Sequence, residues 1–160
     1  MSATAAPTNP IPAKESNSRE LGSPNLSEEN EKVVRRLIEQ GFNLGNLQVL
    51  DEVLDPSFAE HQAIAPGIPP TRAALTAIIK SLRAGFPDVH LSIEEIDAVK
   101  DRVWMRIRAT GTNKGSFMGN PPTGRSMTIT VFDLVRLKHG RIAEHWGVPD
   151  HGSLAVQLGW

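Results

Sequence analysis

The pattern of hydrophobic and polar positions changes its period once along the chain, after Pro87. Before that point, apolar residues recur every three or four positions, which is typical of amphipathic helices. The repeat predicts a first helix from about Asn25 to Gly41, where glycine suits a helix C-terminus. It predicts two further helices over residues 46–54 and 71–86.

After Pro87, apolar and polar residues alternate, which is typical of strands with one buried face. Four long antiparallel strands are predicted, with turns at Lys100-Asp101 and His139-Gly140, after one short strand over residues 57–62. Helices segregated from a strand meander predict an α+β fold. A twisted antiparallel sheet with three helices packed on it should curl into a cone-shaped barrel that encloses an apolar pocket.

Composition divides the chain into two parts. Residues 1–25 are rich in Ser, Pro, Asn and Ala, with few large apolar side chains, and we expect a disordered N-terminal tail. Residues 26–160 have the length of one domain. The N-terminus lacks the apolar core of a secretory signal, and no apolar run is long enough to span a membrane.

Net charge and cysteine content exclude several classes of binding partner and of chemical site. The net charge of −1 excludes the basic surface of a typical nucleic-acid binder and a polybasic membrane patch. Cysteine is absent, so disulfides, thiolate metal sites and cysteine nucleophiles are excluded. A cytoplasmic protein is the expectation.

The densest group of candidate chemical residues is EHWGVPDH, from Glu144 to His151. A two-residue turn at His139-Gly140 would place Leu134 opposite His145, with Glu144 and Trp146 on the other face of the strand. Asp150 would follow the strand at the pocket rim. Apolar walls there would raise its pKa and make it a general acid or base, although an Asp at a strand end more commonly accepts backbone hydrogen bonds.

Other candidates carry similar alternatives. His61 could bond a carbonyl group at the pocket mouth, and His145 could act beside it, although both are more commonly structural. The glycine-rich segment GTNKGSFMGNPPTGR predicts a rim loop. Arg106 and Arg108 are expected to pair with Asp133 or Glu144 on neighbouring strands. The spacing of the histidines does not favour a metal site, and none is expected.

Two segments carry a family resemblance. FPDVHLSIEEIDAVKDRVWMRIRATGTNKGSFMGNPPTGR and FDLVRLKHGRIAEHWGVPDHGSLAVQLG resemble the SnoaL-like polyketide cyclase (ester cyclase) family of the nuclear-transport-factor-2-like superfamily. The resemblance implies a cone-shaped α+β barrel, a homodimer or higher homo-oligomer, a hydrophobic small-molecule substrate, and no cofactor or metal.

The resemblance also implies a reaction and residues. An aspartate after the last strand, matched by Asp150, removes a proton next to a carbonyl group, and the enolate closes a ring by aldol attack. His61 matches a histidine frequent in the family. The chain departs from the family at Leu134-Val135-Arg136, where a histidine usually precedes the arginine, and it has no tyrosine to stabilise an enolate. A backbone amide, His61, His145 or Trp146 would take that role.

The expected function is therefore a cofactor-independent acid/base enzyme acting on a hydrophobic carbonyl compound. Two alternatives remain open: a non-catalytic ligand-binding or dimerising module, and a hydrolase that activates water in the same pocket. The expected catalytic residues are Asp150, His145 and His61, and the expected substrate contacts are Trp146, Phe117, Met118, Phe132 and Trp104.

Overall fold

The computed structural model of the protein describes residues 24–62 and 67–160. Residues 1–23 of the predicted tail and residues 63–66 of the proline-rich loop therefore lie outside the described residues. Helix α1, Pro24–Arg36, continues as a π-helical segment, Leu37–Asn43, which buries one apolar face. The predicted stop at Gly41 is two residues early, because the Leu44 N–H donates to the Glu39 carbonyl group and extends the wider turn.

The next elements follow the predicted order. Helix α2 is Val49–Val53, strand β1 is Leu54–Glu60, and helix α3 is Arg72–Gly85. Thr71 precedes α3 and accepts a hydrogen bond from the Ala73 N–H, as an N-cap residue does.

Four long strands follow: β2 His90–Val99, β3 Arg102–Thr112, β4 Ser126–Lys138 and β5 Arg141–Pro149. The described chain ends in helix α4, His151–Leu158, which Asp150 caps and which Gly159 ends with a left-handed conformation. Helix α4 was not predicted, because eight residues give too short a window for a clear helical repeat.

The strands form one sheet in the order β1-β5-β4-β3-β2, with β1 parallel to β5 and the other neighbours antiparallel. The predicted α+β class is confirmed. Within the described residues, β1 and β2 stay apart as the two edges, so the sheet is curved but not closed into a complete barrel. The described residues form four α-helices, α1 to α4, rather than the three predicted, and the π-helical segment continues α1.

The hairpin between β4 and β5 corrects one prediction. The turn lies at His139-Gly140 as expected, with Lys138 paired to Arg141. Leu137 then pairs with Ile142 but Arg136 pairs with Glu144, so Ala143 is an extra residue that forms a β-bulge. The bulge shifts the register by one residue and places Leu134 opposite Trp146 instead of His145.

The core lies between the helices and the concave face of the sheet. Its largest fully buried members include Phe86, Leu75, Ile79, Ile107 and Ile142. All but Phe86, which directly follows α3, occupy predicted apolar positions of α3, β3 and β5, and this packing fixes which face of each strand turns inward.

Candidate active site

A cavity of about 730 Å³ lies between the concave face of the sheet and the helices. Apolar side chains form most of its wall, among them Ile78 and Leu82 of α3 and Met127, Ile129 and Val131 of β4. This volume is typical of a small-molecule site.

Two ionisable side chains of the sheet, Asp133 of β4 and His145 of β5, line this otherwise apolar wall, and Glu60 of β1 lies beside them. Alternation accounts for all three. Asp133 continues the inward series of Ile129 and Val131. Glu60 comes two positions after the buried Phe58 and so lies on the same face of β1. Since the bulge comes before Glu144, His145 also faces inward.

The three side chains form a buried network. His145 Nδ1 lies 2.9 and 2.8 Å from the two Glu60 carboxylate oxygens, and His145 Nε2 lies 3.5 Å from Asp133 Oδ2. Burial alone lowers the pKa of His145, but hydrogen bonds to Asp133 and Glu60 and the charges of both carboxylates outweigh it and raise the pKa to about 10. His145 is therefore an imidazolium at neutral pH.

The second oxygen of Asp133 has a different environment. Oδ1 is buried and has no hydrogen-bond partner among the described residues. Gly147 lies opposite Asp133 on β5, and a Cβ atom there would lie 3.0 Å from Oδ1 and clash with the Gln62 side chain. The absence of a side chain at Gly147 therefore leaves room for the Gln62 side chain beside Oδ1.

Asp150 is exposed at the N-terminus of α4. Its Oδ1 accepts the Ser153 N–H at 2.9 Å and its Oδ2 accepts the Ser153 hydroxyl at 2.5 Å. These hydrogen bonds hold the pKa of Asp150 below its ordinary value. The predicted rise in its pKa is wrong, because the carboxylate caps a helix that the sequence did not reveal.

His61, Trp146, Phe132 and Trp104 lie outside the set of residues that line the cavity. His61 stacks on Trp146 with ring centroids 4.4 Å apart, and Trp104 and Phe132 are 54% and 55% exposed. The expected placement of these four in the pocket is wrong, because Trp146, Phe132 and Trp104 occupy the strand positions that alternate with the inward-facing ones. His61 directly follows β1 and stacks on Trp146.

Phe117 and Met118, by contrast, lie at the cavity wall. The rim loop that carries them is fixed by Asn113, whose buried side chain donates to the Gly115 carbonyl group and accepts hydrogen bonds from Thr123. Phe117 packs edge-to-face on Phe86 of the core, with ring centroids 5.2 Å apart.

The sequence interpretation missed Glu60 and gave Asp133 a surface role. The expected pairing of Arg106 and Arg108 is also wrong, since both contact Glu94. A signal for Asp133 was present in the sequence: the alternation Met127, Ile129, Val131, Asp133, Val135 places one carboxylate inside an apolar series. A charge at an inward position is costly unless it is paired, so it indicates a functional network.

Comparison with known proteins identifies the family. A sequence model described as SnoaL-like polyketide cyclase matches residues 32–158. The chain belongs to the SnoaL-like polyketide cyclase family. The family predicted from the sequence is thus confirmed, and the protein is an acid/base enzyme of the cyclase type.

Individual relatives agree with this assignment. The chain is 30% identical over 134 residues to the aklanonic acid methyl ester cyclase DauD of Streptomyces sp. (strain C5), covering 79% of this chain and 80% of the relative. It is 27% identical to the nogalonic acid methyl ester cyclase of Streptomyces nogalater, covering 74% and 89%. The crystal structure of IdmH from Streptomyces antibioticus superposes with a TM-score of 0.71 and 33% identity, covering 82% and 99%.

Two further observations concern this cyclase-family protein. In residues 24–62 and 67–160, no three or more His, Cys, Asp or Glu side chains are arranged to hold a metal ion. Over the same residues, no helix is both long enough and apolar enough to cross a membrane.

Proposed function

We propose that the protein closes a ring in a hydrophobic polyketide ester by intramolecular aldol addition inside the cavity. The observation that carries this proposal is the contact of Asp133 with the charged His145 in the wall of a mostly apolar cavity of about 730 Å³. Such a site binds a large, flat, apolar carbonyl compound and supplies a proton acceptor and a positive charge where an enolate forms.

The substrate class follows from the relatives. DauD and the Streptomyces nogalater enzyme are each named for a methyl ester of a carboxylic acid. We propose a methyl ester of the same kind for this protein. Aldol addition neither oxidises nor reduces the substrate, so the reaction itself requires no redox cofactor.

The test is incubation of the purified protein with aklanonic acid methyl ester and with nogalonic acid methyl ester. Ring closure conserves every atom, so the expected product has the mass of the substrate and a different chromatographic retention. Hydrolysis of the ester would change the mass, and a binding module would retain the ligand without a product. Either result would contradict the proposed ring closure.

The convex face of the sheet supports a second proposal, that two copies of the chain pair through it. Trp104, Phe132 and Val148 are 54%, 55% and 68% exposed. They lie on β3, β4 and β5 in two adjacent rows, Trp104–Leu134–Trp146 and Arg106–Phe132–Val148, and form one apolar patch. Exposed patches of this kind mark interaction surfaces.

A second copy is the proposed occupant because the charges around the patch already balance. The ion pair of Arg136 with Glu144 lies beside the Trp104–Trp146 row, and Arg106 pairs with Glu94 and Glu95, so two copies can meet without a repulsive excess of one sign. Light scattering after size exclusion should give the mass of a homodimer, and Trp104→Asp should give the mass of a monomer. A monomeric wild type would contradict the proposal. The cytoplasmic location stays a prediction.

A further inference from the structure

We infer that Asp133 Oδ1, rather than the Asp150 carboxylate, is the proton acceptor of the reaction. This inference rests on the proposed function and names the group that performs its first step. It follows from one oxygen atom beside the cavity that lacks a hydrogen-bond partner among the described residues, from the positive charge behind it, and from the different engagement of Asp150.

The geometry of Asp133 fits a group that contacts a ligand. Asp133 is 6% exposed and lines the cavity, and Oδ1 has no hydrogen-bond partner among the described residues. A buried carboxylate oxygen in this state is costly to the fold, so its retention beside a cavity points to a role in contact with a ligand. Gly147 and Gln62 border the same space, and the Gln62 side chain also lines the cavity.

The positive charge of His145 lies behind the Asp133 carboxyl group. His145 Nε2 faces Asp133 Oδ2 at 3.5 Å, while its Nδ1 is held by Glu60 at 2.8 Å. Glu60 therefore positions the imidazolium, which places its positive charge beside the Asp133 carboxyl group. The other ionisable side chain at the cavity wall is His151 of α4. When Asp133 takes a proton, the imidazolium remains to offset the negative charge of the enolate.

The reaction balances without a further reagent. Asp133 Oδ1 takes the proton from the carbon next to the carbonyl group, and the C–H electron pair passes into the enolate. The enolate carbon forms a bond with a second carbonyl carbon of the same molecule, whose C–O π bond becomes an alkoxide. The alkoxide then takes the proton back from Asp133, and the product is an isomer of the substrate.

Asp150 differs from Asp133 in its hydrogen bonds and its exposure. Both of its oxygens are already occupied by Ser153, and its side chain is exposed. Its N-cap role orients α4, which supplies His151 and Leu154 to the cavity wall. Asp150 is therefore a helix-capping residue that lies outside the set of residues lining the cavity.

The experiment measures proton abstraction separately from ring closure. Methyl benzoylacetate carries an acidic C–H group between two carbonyl groups but has no further carbonyl group placed for ring closure. Its exchange of hydrogen for deuterium in D₂O is followed by NMR for the wild type, Asp133→Asn, Asp150→Asn and Asp101→Asn. Asp101 lies exposed in the turn between β2 and β3 and provides the matched control.

We expect the wild type to exceed the buffer rate and Asp133→Asn to lose about 10²- to 10⁴-fold of that excess, the usual contribution of a general base. Asp150→Asn should keep the rate, since Asn is also a good N-cap residue, and Asp101→Asn should match the wild type. A rate lost in Asp150→Asn and kept in Asp133→Asn would overturn the inference, as would a wild type at the buffer rate.

Failure of this inference and failure of the proposed function would give different results. Deuterium exchange that depends on Asp133, without cyclisation of the two methyl esters, would support the base and refute the ring closure. Cyclisation that survives Asp133→Asn would do the reverse. Circular dichroism and thermal unfolding check that the variants fold, and Asp133→Glu, which keeps the charge, should recover part of the exchange if Asp133→Asn folds poorly.

Discussion

Because His145 is buried and charged, the protein should become less stable as the pH rises into the alkaline range. The pKa of His145 is raised from 6.5 to about 10 in the folded chain. Between these two values the folded protein holds a proton that the unfolded chain has released, so the free energy of unfolding falls as the pH rises. The stabilisation is fully present below pH 6.5 and is lost as the pH passes the folded pKa of about 10.

The magnitude follows from one proton. A difference of one bound proton changes the free energy of unfolding by about 1.4 kcal/mol per pH unit, so the wild type should lose ~3 kcal/mol over two units, from about pH 7.5 to about pH 9.5. The chain contains no cysteine and no tyrosine, so no thiol or phenol titrates in this interval. The loss is a large fraction of a typical domain stability of about 5–15 kcal/mol.

Urea unfolding followed by the fluorescence of the three tryptophans gives the free energy at each pH. His151→Gln, which removes an exposed histidine at the cavity, should keep the wild-type slope. His145→Gln removes the titrating group and should give a flat curve in the same interval. A flat wild-type curve would refute the reasoning, because it would mean that His145 is neutral in the folded protein.

Three further predictions concern packing and hydrogen bonds. Phe86→Ala should lower the free energy of unfolding by about 3–5 kcal/mol, because the ring is fully buried; a loss below about 1 kcal/mol in urea unfolding would contradict its place in the core. Asn113→Ala should cost ~2 kcal/mol and speed hydrogen exchange at the Thr123 amide, which it would leave without its acceptor; unchanged exchange would argue against the rim-loop contact. Gly147→Ala should reduce deuterium exchange of methyl benzoylacetate, because the added methyl group would lie 3.0 Å from Asp133 Oδ1, whereas Gly152→Ala, where the nearest atom is 3.6 Å away, should change it little.

The sequence was sufficient for the fold class, for the helix α3 and for the alternation in β2 to β5, because these elements are long and strongly periodic. It was insufficient to predict which face of the sheet lines the pocket. The decisive feature is the extra residue Ala143, which a pattern of apolar positions does not reveal, since a bulge depends on cross-strand pairing. Without it, Glu144 and Trp146 would follow Ile142 inward.

The site was predictable only in part. The residue type of His145 indicates a candidate, but Glu60 lies 85 positions away in sequence and meets it only through the parallel pairing of β1 with β5. Asp150 was selected from the resemblance, and the helix that engages its carboxylate was too short to predict. Tertiary contacts, not local pattern, therefore decide which acidic residue faces the cavity.

Strand β5 divides its residues between two tasks. From Glu144 to Pro149, even-numbered side chains face the proposed partner copy and odd-numbered ones face the cavity. For protein engineering, this means that the proposed pairing surface and the pocket can be redesigned separately by substitution at alternating positions. An insertion or deletion inside the same six residues would reverse the alternation for the residues on one side of it, so that side chains of the proposed pairing surface would turn toward the cavity.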